Sequence, residues 1–63
     1  MLSKLSPYQR IKLVNIIKQA NDTSVTIAYD MLEEFDFDNI EQSAKAIGIN
    51  SEDVERIICE KYE

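Results

Sequence analysis

One glycine, Gly48, stands in the whole chain, and it separates two stretches whose apolar residues recur at helical spacing. Lacking a Cβ, it can take the left-handed backbone that ends one helix and lets another begin after a short turn. Elsewhere the chain is equally poor in punctuation: one proline, Pro7, and no Gly/Ser linker, internal repeat or low-complexity tract. Nearly everything reads as helix. The predicted fold is all-α, a compact four-helix single domain covering residues 1–63.

The first helix is predicted from Pro7 to about Ala20, because Ser6 can cap it, Pro7 suits its first position and Gln9 sits where a capping box needs it. Leu13, Ile16, Ile17 and Ala20 share one face with Val14 at its edge, opposite Lys12, Asn15 and Gln19. Ile11 falls outside this stripe. Asn21 to Ser24 break the pattern, after which Val25, Ala28, Leu32 and Phe35 recur with Met31 beside them, predicting a second helix over 24–35. Asp30, Glu33, Glu34 and Thr26 line its wet side. Phe37 is expected to close the end of the core. Asp38 is expected to cap a third helix over 39–47, with Glu41 completing a capping box, and Asn50 or Ser51 to cap a fourth over 51–62.

A chain of 63 residues buries only about 60% of the surface its unfolded form exposes, so stability is marginal. Small folds compensate with disulfides, metals or partner subunits, yet this one has a single cysteine and no histidine. Oligomerisation, as a homodimer or as a subunit of a larger assembly, is the remaining aid, and the apolar excess at Leu2, Leu5 and Ile11 marks the contact of such an assembly. The lone Cys59 argues for a reducing, cytoplasmic setting. No signal-peptide pattern appears, and no segment approaches the roughly 20 apolar residues of a membrane span, so no membrane partner is expected.

The net charge of −5 hides an asymmetry. Residues 1–21 hold Lys4, Arg10, Lys12 and Lys18 with no acid, whereas residues 22–63 hold all twelve acids against Lys45, Arg56 and Lys61. The halves therefore attract each other, although an exposed pair contributes only about 0–1 kcal/mol and is screened by salt. On a helical projection Arg10, Lys12 and Lys18 point in different directions, which is no nucleic-acid stripe.

Catalysis and cofactor binding lack parts. There is no histidine to act as base and no glycine-rich phosphate cradle, so the chain is read as non-enzymatic, with no catalytic, cofactor or metal residues. The Asp36-Phe37-Asp38-Asn39 run is superficially like the start of a calcium loop, but the required glycine and closing glutamate are absent. A solvated acidic face explains it. Cys59 falls opposite Val54 and Ile58 on the last helix and reads as a surface thiol, while Tyr8, Tyr29 and Tyr62 read as covers at the core edge.

The window from Ile40 to Cys59 carries a more specific pattern. Ala44 is its fifth residue, Ile47 its eighth, Gly48 its ninth, Ile49 its tenth, Val54 its fifteenth and Ile57 its eighteenth. This spacing resembles the helix-turn-helix superfamily over 20 of the 63 residues. Ala44 supplies a small residue where two helices approach, Gly48 turns the chain, and the apolar set fixes the crossing. Two departures are Ile40, where the family often has a phosphate-holding glutamine, and Ser43, where it often has an apolar residue.

The resemblance implies DNA as ligand. Asn50, Ser51, Glu52, Glu55 and Arg56 then face base edges, Lys45, Lys61 or the first helix the phosphates, and the protein acts as a dimer. The acidity of that helix implies the opposite. Glu52, Asp53 and Glu55 are repelled by a phosphate-lined groove. Short acidic chains of this kind are similar to regulators carried by phages and mobile elements, including inhibitors that occupy a DNA site. The preferred expectation is a regulatory module in which Glu52, Asp53, Glu55 and Arg56 contact a protein partner with a basic face, such as a DNA-binding protein or nuclease. The alternative is a dimeric transcriptional regulator using Lys45, Asn50, Ser51, Arg56 and Lys61 on DNA.

Overall fold

Ser6 and Gln9 open the first helix reciprocally: the Gln9 N–H donates to Ser6 Oγ at 3.1 Å and the Ser6 N–H donates to Gln9 Oε1 at 2.9 Å. This is the anticipated capping box. The computed structural model describes residues 5–60, and within them the chain forms four helices: α1 (Pro7–Asn21), α2 (Val25–Glu33), α3 (Ile40–Ile47) and α4 (Ser51–Cys59). No strand occurs among the described residues, and the fold is all-α. Leu2, Lys4, Lys61 and Tyr62, which entered the expectations above, lie outside the described residues.

Helices of 8 or 9 residues, such as α2, α3 and α4, are too short to persist alone, so packing holds them. The core comprises Leu13, Val14 and Ile17 from α1, Ala28 and Leu32 from α2, Phe35 from the following connection, Ala44 from α3, and Val54 and Ile57 from α4. Each fully buried Leu, Ile or Val contributes roughly 1.5–3 kcal/mol. α2 and α4 both pack on α1, and α3 packs on α4, while α2 and α3 meet only weakly. That last pair leaves a gap in the bundle's side.

Two helices end with a residue in the left-handed region. Gly48 has φ 76° and ψ 31°, and the Ile49 N–H donates to the Ala44 carbonyl at 2.9 Å, closing α3 as its sequence predicts. Asp22 ends α1 at φ 53° and ψ 49°, a conformation that a Cβ makes costly.

Several expectations need correction. α2 begins at Val25 and ends at Glu33, because Ser24 acts as its cap, accepting the Ile27 N–H at 3.3 Å; Phe35 remains buried although it lies past the helix end. Val25, assigned to the apolar stripe, is exposed in the first turn of α2, whose buried face is carried by Ala28 and Leu32. Ala20 is exposed and Val14 buried, so the α1 stripe is rotated toward Val14, with Ile16 half-buried at its margin. Asp38 does not cap α3. Asn39 occupies the cap without a side-chain hydrogen bond, since Asp36 organises the turn instead: its carboxylate accepts the Asp38 N–H at 3.0 Å and the Asn39 Nδ2 at 3.2 Å. The helix predicted over 51–62 is α4 up to Cys59, with Glu60 as its extended C-cap.

Candidate functional site

The sequence directs attention to α4. Its N-cap is Asn50, whose Oδ1 accepts the Glu52 N–H at 2.8 Å, and this fixes the phase of everything after it. Val54 and Ile57 turn inward, so Glu52, Glu55, Arg56 and Cys59 turn to solvent with Asp53 half-covered beside them. Arg56 Nη2 donates to Asp53 Oδ1 at 3.0 Å, one turn back along the same helix. Glu52 and Glu55 have no ion-pair partner among the described residues. Acids in a first turn also complement the helix dipole, which accounts for Glu52 and Asp53 locally; Glu55, one turn further on, lies beyond that effect.

Within the DNA-reading set, exposed Asn50 uses its Oδ1 as the α4 cap while its Nδ2 makes no hydrogen bond among the described residues; Ser51 is half-buried, Arg56 pairs with Asp53 at the surface, and Lys61 is outside the described residues. Lys45 is exposed in the last turn of α3. Among the cations of α1, Lys12 is engaged by Glu60 at 3.2 Å, and Arg10 is half-buried, with a Nε that finds no hydrogen-bond partner among the described residues. Lys18 is exposed.

The far end of α4 holds a constellation that sequence reading missed. Gln9, only 8% exposed, sends its Nε2 amide to the carbonyls of Ile57 at 3.2 Å, Ile58 at 3.0 Å and Glu60 at 3.1 Å. These carbonyls lie at a helix C-terminus, and that of Ile57 also accepts the Glu60 N–H at 3.2 Å, so one buried side chain starts α1 and helps to finish α4. Next to it, Lys12 Nζ bonds both carboxylate oxygens of Glu60 at 3.2 Å and lies 4.9 Å from the centroid of the Tyr8 ring. Hydrogen bonding to Tyr8, and then to Glu60, raises the Lys12 pKa above its usual 10.5. The capping box was the only local signal Gln9 offered. Nothing near it in sequence announces partners 48 to 51 positions away.

Cys59 is a free, exposed thiol, and Ile11 is 53% exposed, both as their helical phase predicts. Among the described residues no helix is long and apolar enough to cross a membrane. No family model matches the chain, and no curated protein or solved structure matches it.

Proposed function

We propose that this chain is a non-enzymatic regulatory module, with a helix-turn-helix-like α3–α4 unit, that binds a basic face of a protein partner in the cytoplasm through the acidic surface of α4. The supporting observation is the charge state of that helix: Glu52 and Glu55 project into water unpaired, while its one cation, Arg56, is held by Asp53. Such a surface favours Lys and Arg and repels phosphate. A DNA-binding protein or nuclease presents the complementary chemistry. Glu52, Asp53, Glu55 and Arg56 are the contact residues, with the Asp53–Arg56 pair fixing Asp53 in place. Exposed charges of this kind govern association rate and its salt dependence more than the final affinity.

The test is affinity capture from a host lysate, with and without nuclease, using the wild-type chain and a Glu52→Lys/Glu55→Lys double variant. A protein retained after nuclease treatment by the wild type and lost by the variant supports the reading. Equal capture by both baits sinks it. A mobility-shift titration of the pure protein on duplex DNA, with retardation at low salt that fades steeply as salt is added, replaces it with direct DNA binding.

A further inference from the structure

The weak meeting of α2 and α3 leaves a groove of about 240 Å³ lined by Met31, Glu34, Phe35, Ser43, Ala46 and Ile47. Its lining is largely apolar: Met31, Phe35 and Ile47 belong to or pack against the core, and Ala46 is a small, exposed residue on the α3 wall. Small-molecule sites run to roughly 300–1,000 Å³, so this groove suits protruding side chains better than a metabolite.

Its two edges differ in charge. On the α2 side Glu34 lines the groove, and Asp30 lies one turn earlier on the same edge; both are exposed and neither has an ion-pair partner among the described residues. On the α3 side Ser43 and Ala46 are uncharged and small, which lets another backbone come close, and the acid beside Ser43, Asp36, is engaged by the Asp38 N–H and the Asn39 amide. The charge pattern narrows the occupant. A second copy offers this edge chiefly its α1 cations, of which Lys12 is already engaged by Glu60 and Arg10 is half-buried, and anionic polymers or lipid surfaces meet the Asp30 and Glu34 carboxylates.

We infer that the α2–α3 groove is a docking site for a basic amphipathic helix of a partner protein. Apolar side chains spaced i, i+4 enter between Met31, Phe35 and Ile47, and Lys or Arg along one flank pair with Asp30 and Glu34. The opposite flank of that helix is neutral and lies over Ser43 and Ala46. This is the helix-in-groove mode, in which apolar anchors supply affinity and flanking charge sets orientation. It stands apart from the α4 reading, because the groove and the outward face of α4 share no residue.

The probe is a synthetic amphipathic helical peptide with leucines at i, i+4 spacing and lysines along one flank, titrated into the intact chain by fluorescence anisotropy. Two control peptides accompany it, one with the lysines replaced by glutamate and one of the same composition in scrambled order. Binding of the first peptide alone is expected, with methyl NMR shifts centred on Met31, Ala46 and Ile47. Asp30→Lys/Glu34→Lys is expected to weaken it roughly fivefold or more, as the loss and reversal of two exposed pairs implies. Glu52→Lys/Glu55→Lys is expected to leave it within about twofold, which separates this site from the one on α4. Equal binding of the scrambled or acidic peptide, or shifts centred on α4, overturns the inference. The peptide controls decide the matter even if a protein variant fails to fold.

Discussion

The side-chain amide of Gln9 donates to the backbone carbonyl of Ile58 at 3.0 Å, joining residues 49 positions apart. Ile57 and Glu60 supply carbonyls to the same amide, so the two N–H donors are shared among three acceptors. Replacing Gln9 by Leu keeps the bulk and removes the side-chain donor from these carbonyls, of which that of Ile57 keeps the Glu60 N–H, and it also removes half of the α1 capping box. Loss of about 1–3 kcal/mol is expected, read as a lowered midpoint in urea or heat, with each kcal/mol worth roughly 4–8 °C in a domain of this size. Gln9→Glu keeps the acceptor for Ser6 but points a carboxylate at carbonyl oxygens. Its deficit against wild type should narrow as pH falls through the carboxyl range, because protonation restores one donor.

Lys12 provides a test by pH. Its pKa is raised in the folded state, so the stabilisation it provides is fully present below the unfolded value of 10.5 and is lost as pH rises through the higher folded value. The stability difference between wild type and Lys12→Met should therefore be constant at neutral pH and fade above 10.5. It should also shrink with added salt, since both partners are partly exposed. A difference that persists undiminished at high pH would assign the effect to packing of the Lys12 stem on Tyr8.

Gly48 and Asp22 share a left-handed backbone and call for opposite substitutions. A Cβ built on Gly48 meets nothing within 4 Å, so Gly48→Ala isolates the backbone cost, about 1–2 kcal/mol of lost stability. Asp22→Gly relieves that strain and removes a negative charge from the carboxyl end of α1, where the helix dipole disfavours it. A gain of about 0.5–1 kcal/mol is expected, partly offset by the freer unfolded chain. Denaturant titrations of the two variants side by side check both signs.

Ala44 is 0% exposed and is the α3 residue in the core. Ala44→Leu adds three carbons where α3 and α4 pack, and about 1–3 kcal/mol of overpacking is expected. Ala46→Leu on the groove wall of the same helix should cost far less, because Ala46 is exposed. Similar losses at both positions in thermal melts would show that α3 is not held by its inner face.

What could be read from the sequence follows the range of each signal. Gly48, the Ser6–Gln9 box and the Val54/Ile57 stripe are local patterns, and each reappears in the structure because nothing distant competes with it. Val25 and Ala20 were misplaced for the opposite reason: helical phase near an end depends on how the neighbouring helix lies, and spacing alone does not contain that. Asp38 lost the cap to Asn39 because the Asp36 carboxylate, which no capping rule weighs, gathers the turn. The exposure of Glu52, Glu55 and Arg56 was legible from phase, whereas the pairing of Arg56 with Asp53 rather than a free role for it required a rotamer. The α2–α3 groove was not legible at all, since it arises from two helices that fail to pack closely.

The Gln9 tie has a kinetic consequence. Contacts of α1 with α2 and of α3 with α4 lie between sequence neighbours and need only short loops to close, whereas the amide must wait for a loop of some 49 residues. Each helical pair is therefore expected to assemble before the buried glutamine docks. Run backwards, the same order predicts that the final turn of α4 frays first, a clasp opening before the two halves loosen, with hydrogen exchange fastest there.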